Sequence, residues 1–244
     1  MRQLFLILIT VFLLNSCNNE NLSCLKRTGE RSTITERLSS FNTININDNF
    51  VVSLKQSDRH SITISGGRNV ISHISFDVTG NSLTISNDNR CNWIRKGEVI
   101  EIVISFENLE ELNIFYPCEV ISVDTLILEN FYIDNYADIF KCNLTLNCER
   151  FELRSHASTG DYRFSGSAEY VYMYNVGNGF FFGSNLRAET MHLVHKSLGR
   201  SEINVTELLM IEEIKYGKVE LRGGCPYIDY NNKDFGDRFE NFGC

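Results

Sequence analysis

"SAEYVYMYN", Ser167 to Asn175, is followed twenty positions later by "RAETMHLVH", Arg187 to His195. In both, a small residue and a glutamate precede apolar residues spaced two apart. Period two is the signature of a strand that sends alternate side chains to one face. The same shape recurs as "VDTLIL" from Val123, "CERFEL" from Cys148, "AEYVYM" from Ala168, "AETMHL" from Ala188 and "TELLMI" from Thr206, at intervals of 25, 20, 20 and 18 residues. A repeat near 20 residues describes a solenoid, whose units bury their apolar faces only by stacking on neighbours.

The register predicts two inward columns. Leu126, Phe151, Val171, Met191 and Leu209 form one, and Leu128, Leu153, Met173, Leu193 and Ile211 the next. A second alternating stretch follows in the later copies: Tyr162 and Phe164, Phe180 and Phe182, Ile203 and Val205, Val219 and Leu221. Turn residues separate the stretches, as in "STGD", "VGNG", "SLGR" and "KYGK". Short strands joined by tight corners predict an all-β fold: a single-stranded, right-handed parallel β-helix with a short C-terminal cap. A leucine-rich repeat would require an asparagine ladder, and the positions matched to it are Phe131, His156, Val176, Lys196 and Ile214.

The expected organisation follows from these patterns. Residues 33–110 carry alternating runs without the motif and form the N-terminal β coils; residues 111–230 form the repeat coils. Residues 231–244 form the cap, because an open solenoid end exposes strand edges and apolar side chains. There Phe235, Phe239 and Phe242 have the spacing of one helical face.

The start of the chain indicates export. Arg2 precedes the apolar run Leu4–Leu14, which is about half the roughly 20 residues of a membrane-spanning helix. Residues 1–16 therefore read as a removable signal peptide. "LLNSC" resembles a bacterial lipobox, which implies lipid attachment at Cys17, a tether over residues 17–32, and a membrane as partner. Each buried methylene contributes roughly 0.8 kcal/mol, so several acyl chains hold a protein at the lipid surface. Cleavage leaves 22 basic against 31 acidic residues, and no basic cluster suits nucleic acid. The seven remaining cysteines are odd in number, so at least one lacks an intramolecular partner. Cys142 and Cys148 in one extended strand lie too far apart to bridge each other.

"RLSSFNTININDNFVVSLKQSDRHSITISGGRNVISHISFDVTGNSLTIS", from Arg37, and "VIEIVISFENLEELNIF", from Val99, together with the glycine-cornered coils, resemble the putative auto-transporter adhesin head GIN domain family. The resemblance spans roughly residues 33–225. It implies an exported β-helix of the cell envelope, often a lipoprotein, and it assigns no catalytic residues. The family's glycine-rich corners are altered here to "STGDY" and "VGNGF".

Two sets of side chains are candidate sites. The outer face of the motif strand aligns Glu152, Tyr172 and His192, with Arg154 and Tyr174 beside them; rings flanked by hydrogen-bonding groups suit glycans or protein loops. The acid after the small residue recurs as Asp124, Glu149, Glu169, Glu189 and Glu207, which stacked at coil spacing would form a cation ladder or splay into water. His192 and His195 point to opposite faces of a strand and do not share a metal. No cofactor is expected. These features favour a membrane-anchored, non-catalytic binding or adhesion module of the envelope, outer membrane or cell surface, whose partner is a glycan or an envelope or host protein. The alternatives are a structural or assembly component and, with Glu152, Arg154 and His192 as its only aligned set, a polysaccharide-cleaving enzyme.

Overall fold

The computed structural model describes residues 27–88 and 99–244. Cys17 and the signal segment lie outside them, as do Cys24 and Cys91. The strands form a parallel β-solenoid of about 7 turns.

The repeat coils are carried by long bent strands: β10 (Leu126–Asn135), β11 (Phe140–Ser158), β12 (Asp161–Gly177), β13 (Phe180–Ser197) and β14 (Arg200–Ile214). Each pairs in parallel with the next. Phe151 lies on Val171, Val171 on Met191, and Met191 on Leu209; Leu153, Met173, Leu193 and Ile211 form the second file. All eight are buried. Like stacks on like because successive strands lie about 4.8 Å apart.

The first copy is phased differently from the sequence expectation. Phe131 pairs with Phe151 and Ile133 with Leu153, while Leu126 pairs with Leu146 on the adjoining face. The motif copy is therefore "LENFYI", Leu128 to Ile133, and the true interval is 20 residues rather than 25. Residues 123–128 and 128–133 both alternate, and only the pairing to β11 decides between them. The phenylalanine triplet is a second correction. Phe181 is buried against Tyr162, whereas Phe180 and Phe182 face outward. Three consecutive phenylalanines carry no parity of their own.

One corner of the tube is lined by a buried polar file: Asn135, Ser155, Asn175 and His195, each paired with the next. In the three middle coils it stands one residue before His156, Val176 and Lys196, the positions matched to an asparagine ladder. The Tyr162 hydroxyl meets Ser155 Oγ at 2.8 Å and Asn135 Nδ2 at 3.1 Å. Asn175 Nδ2 donates to the Gly179 carbonyl at 3.3 Å, and Ser201 Oγ lies 3.1 Å from His195 Nδ1. These bonds engage the polar file at the bend only in part, since the buried Asn175 Oδ1 and His195 Nε2 have no hydrogen-bond partner among the described residues. The glycine after one such bend has no substitute: Gly217 has φ 56°, and a Cβ there would fall 2.2 Å from the Gly199 carbonyl oxygen.

The N-terminal coils do not stack in chain order. The first coil, β2 (Thr43–Ile46) with β3 (Val51–Gln56), is sandwiched. On one side lie β6 (Ser82–Asn87) and β7 (Glu101–Phe106); on the other, β8 (Glu111–Ile114) and β9 (Cys118–Ser122). Antiparallel strands close this end: β1 (Arg31–Arg37) on β4 (Ser61–Gly67), β4 on β7, and β5 (Ile74–Thr79) on β6, with the short helix α1 (Arg68–Ile71) after β4. Strand β1 thus begins inside the expected tether, and the N-terminal end is capped as well.

At the other end, β15 (Lys218–Gly223), β16 (Tyr227–Asp229) and β17 (Phe239–Asn241) complete the tube, and a disulfide joins Cys225 to Cys244. The expected helical face of Phe235, Phe239 and Phe242 does not form. Phe235 is buried, Gly236–Arg238 makes a single 3-10 turn, Phe239 enters β17, and Phe242 is exposed. Gly236 sits at φ 57°, which breaks a helix, and β15 offers an open edge that takes the chain as a strand instead. Cys118, Cys142 and Cys148 are free thiols; burial pushes Cys118 and Cys148 up to about 12 and Cys142 well above its ordinary value.

Candidate functional site: the outer face of the motif sheet

The strand alternation that sends Phe151 and Leu153 inward sends their neighbours outward in ordered columns. One column runs Tyr132, Glu152, Tyr172, His192, Met210 and Asp229. Beside it stand Asn130, Arg150, Tyr170 and Thr190, and on its other side Asp134, Arg154, Tyr174 and Val194. The structure therefore brings all five predicted face residues onto one sheet.

Their environments differ. Glu152 is only 3% exposed, although it points out of the tube. Arg150 Nε donates to its Oε1 at 2.7 Å and Arg154 Nη2 to its Oε2 at 2.6 Å. Two charge-assisted bonds compensate the desolvation of that carboxylate. The pairing raises the pKa of Arg150, chiefly through the hydrogen bond to Glu152. The clamped arginines extend over the next coil, Arg150 lying 4.4 Å from the Tyr170 ring centre and Arg154 5.9 Å from that of Tyr172. Tyr172 meets His192 edge to face at 5.3 Å, and Lys196 reaches over Tyr174 at 5.7 Å. Burial, then the nearby Glu212 charge, raise the Tyr172 pKa. His192 Nε2 lies 2.9 Å from Glu212 Oε2.

Glu152 and His192 stand two coils apart with Tyr172 between them, and both carboxylate oxygens of Glu152 are engaged. Glu152, Arg154 and His192 thus form no converging acid–base pair of the kind glycoside cleavage requires. The face can instead hold a partner by ring contacts and hydrogen bonds.

An aromatic stack borders this face and was not legible as a site. Phe115 stacks on Tyr136 at 5.6 Å and 6°, and Tyr136 on His156 at 4.7 Å and 4°. These rings cover one another's faces, so they present edges to solvent. They serve the stack before any ligand.

Of the five acids aligned from the sequence, Glu149, Glu169 and Glu189 line one groove. Glu129, Glu149, Glu169 and Glu189 line a groove of about 720 Å³ with Glu107, whereas Asp124 lies off it because of the phase correction. Glu207 does not line the groove either. No group of three or more metal-ligating side chains within reach of one ion occurs among the described residues. His192 and His195 do face opposite ways: His195 is fully buried and His192 is outward.

The class the fold defines is a parallel β-solenoid with a polar, aromatic outer sheet. The sequence matches the family model described as "Putative auto-transporter adhesin, head GIN domain" over residues 40–225, and the chain belongs to that family. No curated protein matches it. A crystal structure described as a "putative adhesin" from Bacteroides fragilis is similar, at 20% identity and TM-score 0.71, covering 88% of this chain and 94% of that one. A "putative lipid binding protein" from Parabacteroides distasonis is similar at 14% identity and TM-score 0.59, covering 88% and 96%. A "putative adhesin" from Parabacteroides merdae is similar at 15% identity and TM-score 0.56, covering 89% and 96%. At these identities the likeness establishes the fold.

Proposed function

We propose that the chain is a non-catalytic adhesion module of a bacterial cell envelope, tethered to a membrane through a lipid on Cys17, with the motif sheet as its contact surface. The observation that carries this reading is the outward column from Tyr132 to Asp229, a mostly polar and aromatic file held by the stacked coils, in a chain of the adhesin head family. Such a face gives specificity through fixed rings and hydrogen-bonding groups and needs no reacting centre. The interior is filled by side chains such as Phe131, Phe140, Phe151 and Phe181, so a partner meets the outside of the tube.

Protease shaving of intact cells tests the display: the solenoid is expected to be cleaved or lost from intact cells, and full protection would contradict adhesion. Cys17→Ser is expected to move the protein from the membrane to the soluble fraction, since the anchor's acyl chains are lost together. Unchanged fractionation would remove the lipid from the account.

A further inference from the structure

The outward column ends in a cleft. Where β16 pairs onto β14, Met210 faces Asp229, and beyond it residues 230–233 turn so that Lys233 reaches the Glu212 carbonyl. A cavity of about 410 Å³ opens there, with His192, Met210, Glu212, Asp229, Asn231 and Lys233 in its walls. Its shape is fixed by four contacts. His192 Nε2 meets Glu212 Oε2 at 2.9 Å, Lys233 Nζ donates to the Glu212 carbonyl at 2.6 Å, Asn231 N donates to Asp229 Oδ1 at 2.9 Å, and Lys233 N donates to the Tyr230 carbonyl at 2.9 Å. Asn231 and Asn232 hold φ of 48° and 56°, consecutive left-handed residues that the loop keeps at a conformational cost.

We infer that this cleft is a saccharide-binding site, which takes one sugar unit of a glycan free of carboxylate and sulfate groups. The inference rests on the adhesive reading above and places its ligand. The Met210 thioether offers an apolar, adaptable floor for the C–H face of a sugar ring. Above that floor, the Glu212 and Asp229 carboxylates accept hydrogen bonds from ring hydroxyls, and the Lys233 ammonium and Asn231 amide donate to them. An amphipathic ligand with a hydroxyl rim matches this arrangement of few polar groups around an apolar patch. The two carboxylates outnumber the one ammonium, so uronic acids and sulfated sugars are repelled, while neutral and amino sugars are accepted. Tyr172, edge-on to His192, lies on the path along which the rest of a glycan would follow the column.

The test is a binding panel of neutral, amino, uronic and sulfated oligosaccharides against the purified chain, repeated with the double variant Glu212→Gln, Asp229→Asn and with Met210→Ala. All three positions lie outside the buried core, and an unchanged melting curve checks folding. Binding to neutral or amino sugars, weakened about tenfold or more by the double variant, is the expected result. Full affinity in the double variant, preference for the anionic sugars, or no binding to any sugar overturns the inference. Cell adhesion that persists without sugar binding sinks the cleft alone and leaves the adhesive reading. Sugar binding by a protein that shaving shows to be shielded from the cell exterior sinks the adhesive reading and leaves the cleft.

Discussion

Phe151→Ala is expected to destabilise the solenoid by about 3–5 kcal/mol, the range for removing a fully buried phenylalanine ring. Phe151 is fully buried at the centre of the repeat coils, stacked 6.1 Å from Phe131 and tilted 4.7 Å from Phe164. Each coil is held only by its two neighbours, so a cavity in a middle coil weakens both interfaces and cannot be repaired by a distant core. Strand pairing on either side also restricts the collapse that would otherwise shrink the hole. Against a total of roughly 5–15 kcal/mol for a domain, the loss is large. Urea unfolding followed by far-ultraviolet circular dichroism measures it, and a change below about 1 kcal/mol would show that Phe151 is not in a packed interior file.

Acid is expected to destabilise the protein through His195. Burial lowers the His195 pKa from 6.5 to about 4. Above about pH 6.5 the imidazole is neutral in both the folded and the unfolded chain. As the pH falls from there toward 4, the unfolded chain takes up a proton that the folded chain refuses, so stability is lost across that window. The loss amounts to roughly 3 kcal/mol at its limit. Inside the tube the imidazole meets Asn175, Ser201 and Ile214, none of them charged; the adjacent Lys196 and Glu213 point outward and pair with each other at 3.0 Å. His195→Gln keeps a hydrogen-bonding side chain and removes the titration. The difference in unfolding free energy between pH 7 and pH 4 is therefore expected to be about 3 kcal/mol smaller in the variant than in the parent. Equal acid sensitivity of the two proteins would show that His195 is protonated in the folded state or exposed.

The inward files from Phe151 to Leu209 were readable because their repeat is regular and each copy carries its own period-two pattern. The phase of the first copy was not, because Leu126 and Leu128 alternate as convincingly as Phe131 and Ile133, and pairing with β11 lies outside any local window. The polar corner file escaped notice for a different reason. Asn135, Ser155, Asn175 and His195 are of three residue types and share only a position at the bend. The sandwiched first coil also left no local trace, since parallel neighbours far apart in the chain are chosen by shape and not by spacing. The outer face was legible in membership, all five residues standing on one sheet, but not in chemistry: the burial of Glu152 depends on Arg150 and Arg154 folding over it from the same strand. The end cleft was only half visible, through His192. Its other wall comes from residues 229–233, whose return to the sheet depends on the contact of Lys233 with the Glu212 carbonyl.

The most direct test of the account compares two outer faces of the same tube. Tyr172→Ser with Tyr174→Ser alters the motif sheet, and Phe180→Ser with Phe182→Ser makes an equal change to an outward-facing aromatic pair outside the motif columns. Adhesion of cells displaying each variant to glycan-coated and host-cell surfaces is the measurement. The account predicts that adhesion is lost with the tyrosine pair and kept with the phenylalanine pair; adhesion that survives the tyrosine substitutions in a folded, displayed protein would contradict it.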